Sequence, residues 1–275
     1  MTALDRIFSA TAQLPAIPRV VQKMIDTLGS EDADLQPLIA EIRLDPSISA
    51  RVLRLANSGA YGSRRSVGSI SDAVGMIGTR AMRTLVISAG IGGAFPRVPG
   101  INLKDFWRHA LMTASTSALL ARHVGENPDH AYSAGLMHRV GQLMIHIAFP
   151  RIAEELAHDC LDLSATERMA VESQKLNTNH CEVGAELAMR WNFPEGISRA
   201  LHYYCRPHDP EATRLARLTS LASQIAFEID EDVQPEDIVQ HLNPSITDLC
   251  GLDRTSLLAD IEYCAEHAAE AELAI

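Results

Sequence analysis

Apolar residues along this chain recur at steps of three and four, and there is almost no sustained apolar-polar alternation of the kind that marks a half-buried strand. The pattern predicts an all-α fold. Leu35, Leu38, Ile39 and Ile42 form one apolar stripe. Asp45-Pro46 then supplies a capping carboxylate followed by proline at the first helical position, where its missing N–H is no loss. The helix it opens turns Ile48, Val52, Leu53 and Leu55 inward and ends at Asn57-Ser58-Gly59. A similar unit follows, with Ser71 as N-cap, Val74 and Ile77 on the apolar face and Gly78 as the stop. Thr79 opens the next helix through Met82, Leu85 and Val86.

Around residues 93–101 proline and glycine accumulate, and neither sustains a helix, so a lobe boundary is expected there. Residues 1–98 are read as an N-terminal helical lobe and 99–275 as a second helical lobe. Longer helical periods cover 104–123, 131–147, 164–176, 181–191, 197–204 and 211–228, punctuated by Pro150, Pro194 and Pro207. The acidic end carries one further helix over 255–273, opened by Asp253 or Thr255.

The 275 residues are 47% hydrophobic, ample for a packed core. No apolar run approaches the roughly 18 residues that cross a bilayer, and Met1-Thr-Ala-Leu-Asp-Arg6 lacks the basic-then-apolar order of a secretory signal; a cytoplasmic protein is expected. Cys160, Cys181, Cys205, Cys250 and Cys264 lie far apart without a Cys-x-x-Cys pair, so reduced, buried thiols are expected rather than a disulfide framework or a zinc knuckle.

A net charge of −11 opposes nonspecific nucleic-acid binding, which neutralises phosphates with Lys and Arg. The charge is graded: residues 1–100 balance to +3 and residues 209–275 to −12. Arg43, Arg51, Arg54, Arg64, Arg65, Arg80 and Arg83 stand against only Asp45 and Asp72 over residues 43–83. Arginine grips phosphates and carboxylates bidentately, so Arg51, Arg54, Arg64, Arg65, Arg80 and Arg83 are candidates for an anionic ligand or partner; a solvated helix face is the alternative. The two short helices around Gly78 also admit a helix-turn-helix reading, which the net charge and the apolar second helix oppose.

Eleven histidines carry the candidate chemistry, since imidazole is both a metal ligand and a neutral-pH acid or base. His123, His130, His146, His158, His208, His241 and His267 read as helix-surface or loop-edge residues. His109, after Phe106-Trp107-Arg108, His138, within Ala134-Gly-Leu-Met-His138, and His180, before Cys181-Glu-Val-Gly184, have more suggestive neighbours.

Four blocks in series resemble the HDOD family, the HD-related output domain of bacterial signalling proteins. They are Leu14-Pro15-Ala16-Ile17-Pro18; Asp45-Pro46 through Arg51-Val-Leu-Arg-Leu-Ala-Asn-Ser58; Ala134 through Gly141; and His180 through Trp191-Asn-Phe-Pro194. The resemblance implies an all-α, two-lobe fold whose second lobe is related to HD phosphohydrolases. In catalytic HD proteins a histidine, a His-Asp pair and a later aspartate hold a divalent metal that activates water. His109 and His138 stand at the two histidines, but Arg139 replaces the paired aspartate, Ser223 falls at the later one, and Tyr204-Cys205 falls where such domains often carry paired histidines.

A cation beside the ion at about 4 Å costs about 4 kcal/mol at an effective dielectric of about 20, and hard cations need the carboxylates that are missing. The resemblance therefore implies a non-catalytic regulator without a cofactor. It would act through protein contacts in bacterial signal transduction, linked to cyclic-di-GMP, motility or stress networks. GGDEF, EAL or kinase-type components are the expected partners, and no membrane or nucleic-acid partner is expected. The alternative is a residual metal-dependent phosphohydrolase or nucleotide-binding sensor, including a zinc site built from His109, His138 and His180.

Overall fold

The computed structural model describes residues 2–10, 15–28, 30, 34–57, 67–160 and 163–267, without the side chains of residues 10, 55 and 80, and every regular element among them is helical. The N-terminal lobe comprises α1 (Ala3–Ala10), α2 (Arg19–Asp26), α3 (Gln36–Leu44), α4 (Pro46–Ala56) and α5 (Ile70–Ala94). Asp45 caps α4 as expected, its Oδ1 accepting from the Ser47 and Ile48 amides at 3.0 and 3.1 Å. Asn57 fastens the end of α4 to the approach to α5: its Oδ1 accepts from the Val67 amide at 2.7 Å while its Nδ2 donates to the Val67 and Leu53 carbonyls. The expected stop at Gly59 lies outside the described residues.

α5 begins two residues earlier than its sequence suggests. Ser69, in an extended conformation, accepts from the Asp72 amide and donates to the Asp72 carboxylate, a serine-x-x-acid cap that outcompetes Ser71. Gly78 breaks the helix at φ 80 and ψ 168, a conformation favourable for a residue without Cβ. Beyond the break Met82, Leu85, Val86, Ile87 and Ile91 are fully buried, so the second segment presents its face to the core. The helix-turn-helix reading fails on that burial, because a recognition helix must be free to enter a groove.

The second lobe comprises α6 (Leu103–His123), α7 (Pro128–Met137), α8 (Val140–Ala148), α9 (Pro150–Asp159), α10 (Ala165–Leu176), α11 (His180–Arg190), α12 (Glu195–Tyr203), α13 (Arg214–Asp230), α14 (Pro235–His241), α15 (Pro244–Cys250) and α16 (Leu258–Glu266). α6, α7 and α13 pack together at its centre, α11 lies against α8 and α12, and α16 closes over α6 and α14. Several elements differ from the sequence reading. The single helix over 131–147 is broken at His138-Arg139, and α9, α14 and α15, each with proline at the start, occupy stretches to which no helix was assigned. The last helix starts after a 3-10 turn capped by Asp253 and is described only to Glu266.

One continuous apolar core runs through both lobes, with Phe95 packed on Trp107 and Trp191 at centroid distances of 6.4 and 6.1 Å. Trp191 also donates its indole N–H to the Pro15 carbonyl and accepts at its own carbonyl from Gln22. Arg83, read as a candidate for anion or partner binding, is instead buried: it donates to the Thr27 and Ser30 carbonyls and lies 3.7 Å from the Asp129 carboxylate, tying α2 to α7. Arg51 lays its guanidinium across Gly93 and reaches the Ala89 carbonyl at 3.4 Å. Arg54 is exposed; Arg64, Arg65 and the Arg80 side chain lie outside the described residues. Among the described residues no helix is long and apolar enough to cross a membrane.

Candidate functional site

The three singled-out histidines reach the interior of the second lobe from three helices. α6 is capped by Asn102, and His109 lies on its buried face. α7 is capped by Asn127 and ends at His138, whose Nδ1–H donates to the Gly135 carbonyl at 2.6 Å. That local bond takes up the carbonyl one turn back and accounts for the break before α8. His180 opens α11, which Asn179 caps by accepting from the Cys181 and Glu182 amides.

Each histidine is spoken for. His109 Nδ1 donates to Asp230 at 2.9 Å, and Arg108 pairs with the other oxygen of the same carboxylate at 3.0 Å. His138 Nε2 accepts from the Ser223 hydroxyl at 3.3 Å. His180 Nδ1 and its backbone N–H both reach one Glu172 oxygen, at 2.6 and 2.8 Å, and Nε2 meets the Tyr204 hydroxyl at 2.7 Å. Arg168 donates to the other Glu172 oxygen at 2.9 Å and also to His146 Nε2 at 3.2 Å, while His146 Nδ1–H donates to the Pro99 carbonyl. A polar chain thus runs from the interlobe connection through His146, Arg168, Glu172 and His180 to Tyr204. His146, read as a surface residue, is buried because this chain consumes both of its nitrogens.

The electrostatics follow from burial. Desolvation pushes His138 well below its ordinary value, reinforced by His109 and Arg139, and it lowers His109 despite the Asp230 carboxylate. Both are neutral at pH 7. For Glu172 burial alone would favour the acid, but His180 and Arg168 more than offset it and bring the carboxyl down to about 2. Burial also opposes charge on His180, yet Glu172 and Cys205 raise its pKa.

The neutral His138 has a measurable consequence. Its folded-state pKa lies below its unfolded one, so the unfolded chain binds the extra proton as pH falls below about 6.5, and stability falls with it at up to about 1.4 kcal/mol per pH unit. Urea unfolding of wild type and His138→Gln at pH 7 and pH 5 should show the larger loss in wild type. Equal losses would mean that His138 is not held neutral.

The residues do not fit the metal of catalytic HD proteins. Arg139 partly buries its guanidinium 5.6 Å from the Phe106 ring centroid and donates to Gln142, placing a cation where a ligand oxygen would be required. Its pKa is drawn down by burial and by Arg168. The two carboxylates that are present, Asp230 and Glu172, were not anticipated in the sequence; Glu172 is bonded on both oxygens, whereas Asp230 accepts from His109 on one oxygen and ion-pairs with Arg108 through the other, which makes no hydrogen bond. Of the three histidines, His109 and His138 lie ring to ring at 5.4 Å, whereas His180 turns its Nε2 to the Tyr204 hydroxyl, with the Tyr204 ring packed on both His138 and His180 at 5.3 and 5.8 Å.

The residues 14–207 match the model of the HDOD domain. This chain belongs to the HDOD family. It is 29% identical to a Shewanella amazonensis SB2B protein provisionally named a phosphohydrolase, with a TM-score of 0.80 over 98% of this chain and 97% of that one. A Marinobacter aquaeolei VT8 protein, provisionally named in signal transduction, shares the fold at 22% identity and a TM-score of 0.78, over 98% of this chain and 64% of that one. A curated relative, an uncharacterized protein of Treponema pallidum strain Nichols, is 26% identical over 217 residues; these are 78% of this chain but only 41% of the relative's length.

Proposed function

We propose that this HDOD protein is a non-catalytic regulator of bacterial signal transduction that acts by docking on other proteins. The observation that carries this reading is the occupation of the HD position: Arg139 stacks on Phe106 beside a His138 whose two nitrogens are held by Gly135 and Ser223. A water-activating metal would have to displace those bonds and approach a guanidinium, against the repulsion described above. What remains is a two-lobe helical fold whose residues 1–100 balance to +3 and residues 209–275 to −12. The partners proposed are GGDEF, EAL or kinase-type components of cyclic-di-GMP, motility or stress networks in the cytoplasm, following the family resemblance.

The name carried by the Shewanella relative favours a second reading, a residual metal-dependent phosphohydrolase. Hydrolysis of a generic phosphodiester by purified protein supplied with Mn²⁺, Mg²⁺ or Zn²⁺ separates the two. Activity at background is expected. Robust turnover abolished by His138→Ala would replace the docking reading with the enzymatic one. Crosslinking pull-downs comparing wild type with Arg64→Glu/Arg65→Glu then identify the partner and test the arginine strip.

A further inference from the structure

We propose that His180, Cys181 and Cys205 form a buried structural zinc site that does not include the His138-Arg139 pair and is independent of the docking reading. One donor atom from each residue lies within 4.8 Å of the others, and all three side chains are buried. Cys181 follows His180 in the first turn of α11, and Cys205 comes two residues after the end of α12, which packs on α11. The first turn of α11 therefore fixes two of the donors and the turn after α12 the third.

The distances suit the ion. Tetrahedral zinc with Zn–S of about 2.3 Å and Zn–N of about 2.0–2.1 Å separates a bound sulfur from a bound nitrogen by about 3.6 Å. Cys205 Sγ lies 3.6 Å from His180 Nε2. The orientation suits it too. Glu172 accepts the Nδ1–H of His180, the carboxylate–histidine arrangement that surrounds zinc ligands, and so leaves Nε2, on the side of the Cys205 sulfur, as the ligand atom once its proton is released. Arg168 in turn holds Glu172.

Charge favours it as well. Two thiolates and one neutral imidazole cancel the dication, so the filled site buries no net charge, and two protons pass from the three ligands to solvent on binding. Nε2 gives up its hydrogen bond to Tyr204, and that hydroxyl or a water completes the tetrahedron. Soft sulfur donors select zinc over Mg²⁺ or Mn²⁺, so such a site does not restore the hydrolytic metal. Because the donors are enclosed, the ion would be captured as the chain folds.

The test uses the full chain expressed without a histidine tag. Elemental analysis should find zinc close to one ion per chain in wild type and near zero in Cys181→Ser/Cys205→Ser, with helix content followed by circular dichroism. Protein unfolded in EDTA and refolded with Co²⁺ should show thiolate-to-cobalt charge-transfer absorption, and the single Cys205→Ser variant should lose it even where it still folds. Wild type without zinc and without the cobalt band overturns the site. So does full metal content in the double variant, which would place the ion elsewhere.

Discussion

Replacing Gly141 with alanine is expected to cost more than about 3 kcal/mol, a large share of the roughly 5–15 kcal/mol that holds an ordinary domain folded. A Cβ at Gly141 would sit 2.8 Å from the Gly184 nitrogen and collide with the carbonyl of His180. Both neighbours are backbone of α11, so no side-chain rotamer can yield, and the cost exceeds the ordinary 1–3 kcal/mol or so of an overpacked core. The helix must move, and with it the His180 ring. Gly184→Ala, across the same contact, is the control. Its Cβ would meet the Gly141 nitrogen at 3.5 Å, an ordinary contact, and alanine improves helix propensity by up to about 1 kcal/mol. Urea unfolding of the two variants should therefore give opposite outcomes. Similar losses in both would contradict the close approach of α8 to α11.

That approach explains what the sequence disclosed and what it withheld. The helical period, the Asp45-Pro46 cap and the Gly78 break were legible because each is a local signal satisfied by neighbours in the chain. The same rule applied at Asn127-Pro128 and Asn243-Pro244 would have found the starts of α7 and α15, since both asparagines accept amides of the first turn. Family resemblance set His138 at the histidine of the HD pair and Ser223 at the later aspartate, and their contact is seen only in the structure. The interruption of the helix at His138 was not foreseen, because the apolar period continues through 131–147 and only the side-chain bond to Gly135 reveals the break.

Long-range pairings left no local trace. Glu172 and His180 are eight residues apart, on different helices; Cys181 and Cys205 show no metal-binding spacing; Asp230 is 121 residues from His109. Arg83 illustrates the same limit from the other side, since its position in a basic strip says nothing of the two carbonyls that bury it. Trp191 shows what the motif blocks do physically: the first and last blocks, far apart in sequence, meet where its indole bonds the Pro15 carbonyl.

Glu172→Gln should be the most destabilising change that preserves side-chain shape, at about 3–5 kcal/mol. All the neighbours of this fully buried carboxylate are donors: Arg168 Nε on one oxygen, and the backbone and ring N–H of His180 on the other. A glutamine has only one carbonyl oxygen, so its NH₂ must face either the guanidinium or the His180 pair, donor against donor. The depression of the Glu172 carboxyl from 4.5 to about 2 corresponds to about 3 kcal/mol, in agreement with that range. The sign of the pH dependence follows. A carboxyl with a lowered folded-state pKa stabilises fully above about pH 4.5 and loses that contribution as pH falls toward 2. The stability gap between wild type and Glu172→Gln, measured by urea unfolding in excess EDTA so that no metal contributes, should be widest near neutrality and narrow steadily below pH 4.5. A gap that stays constant into that range would show that the Glu172 charge does not hold Arg168 and His180 in place.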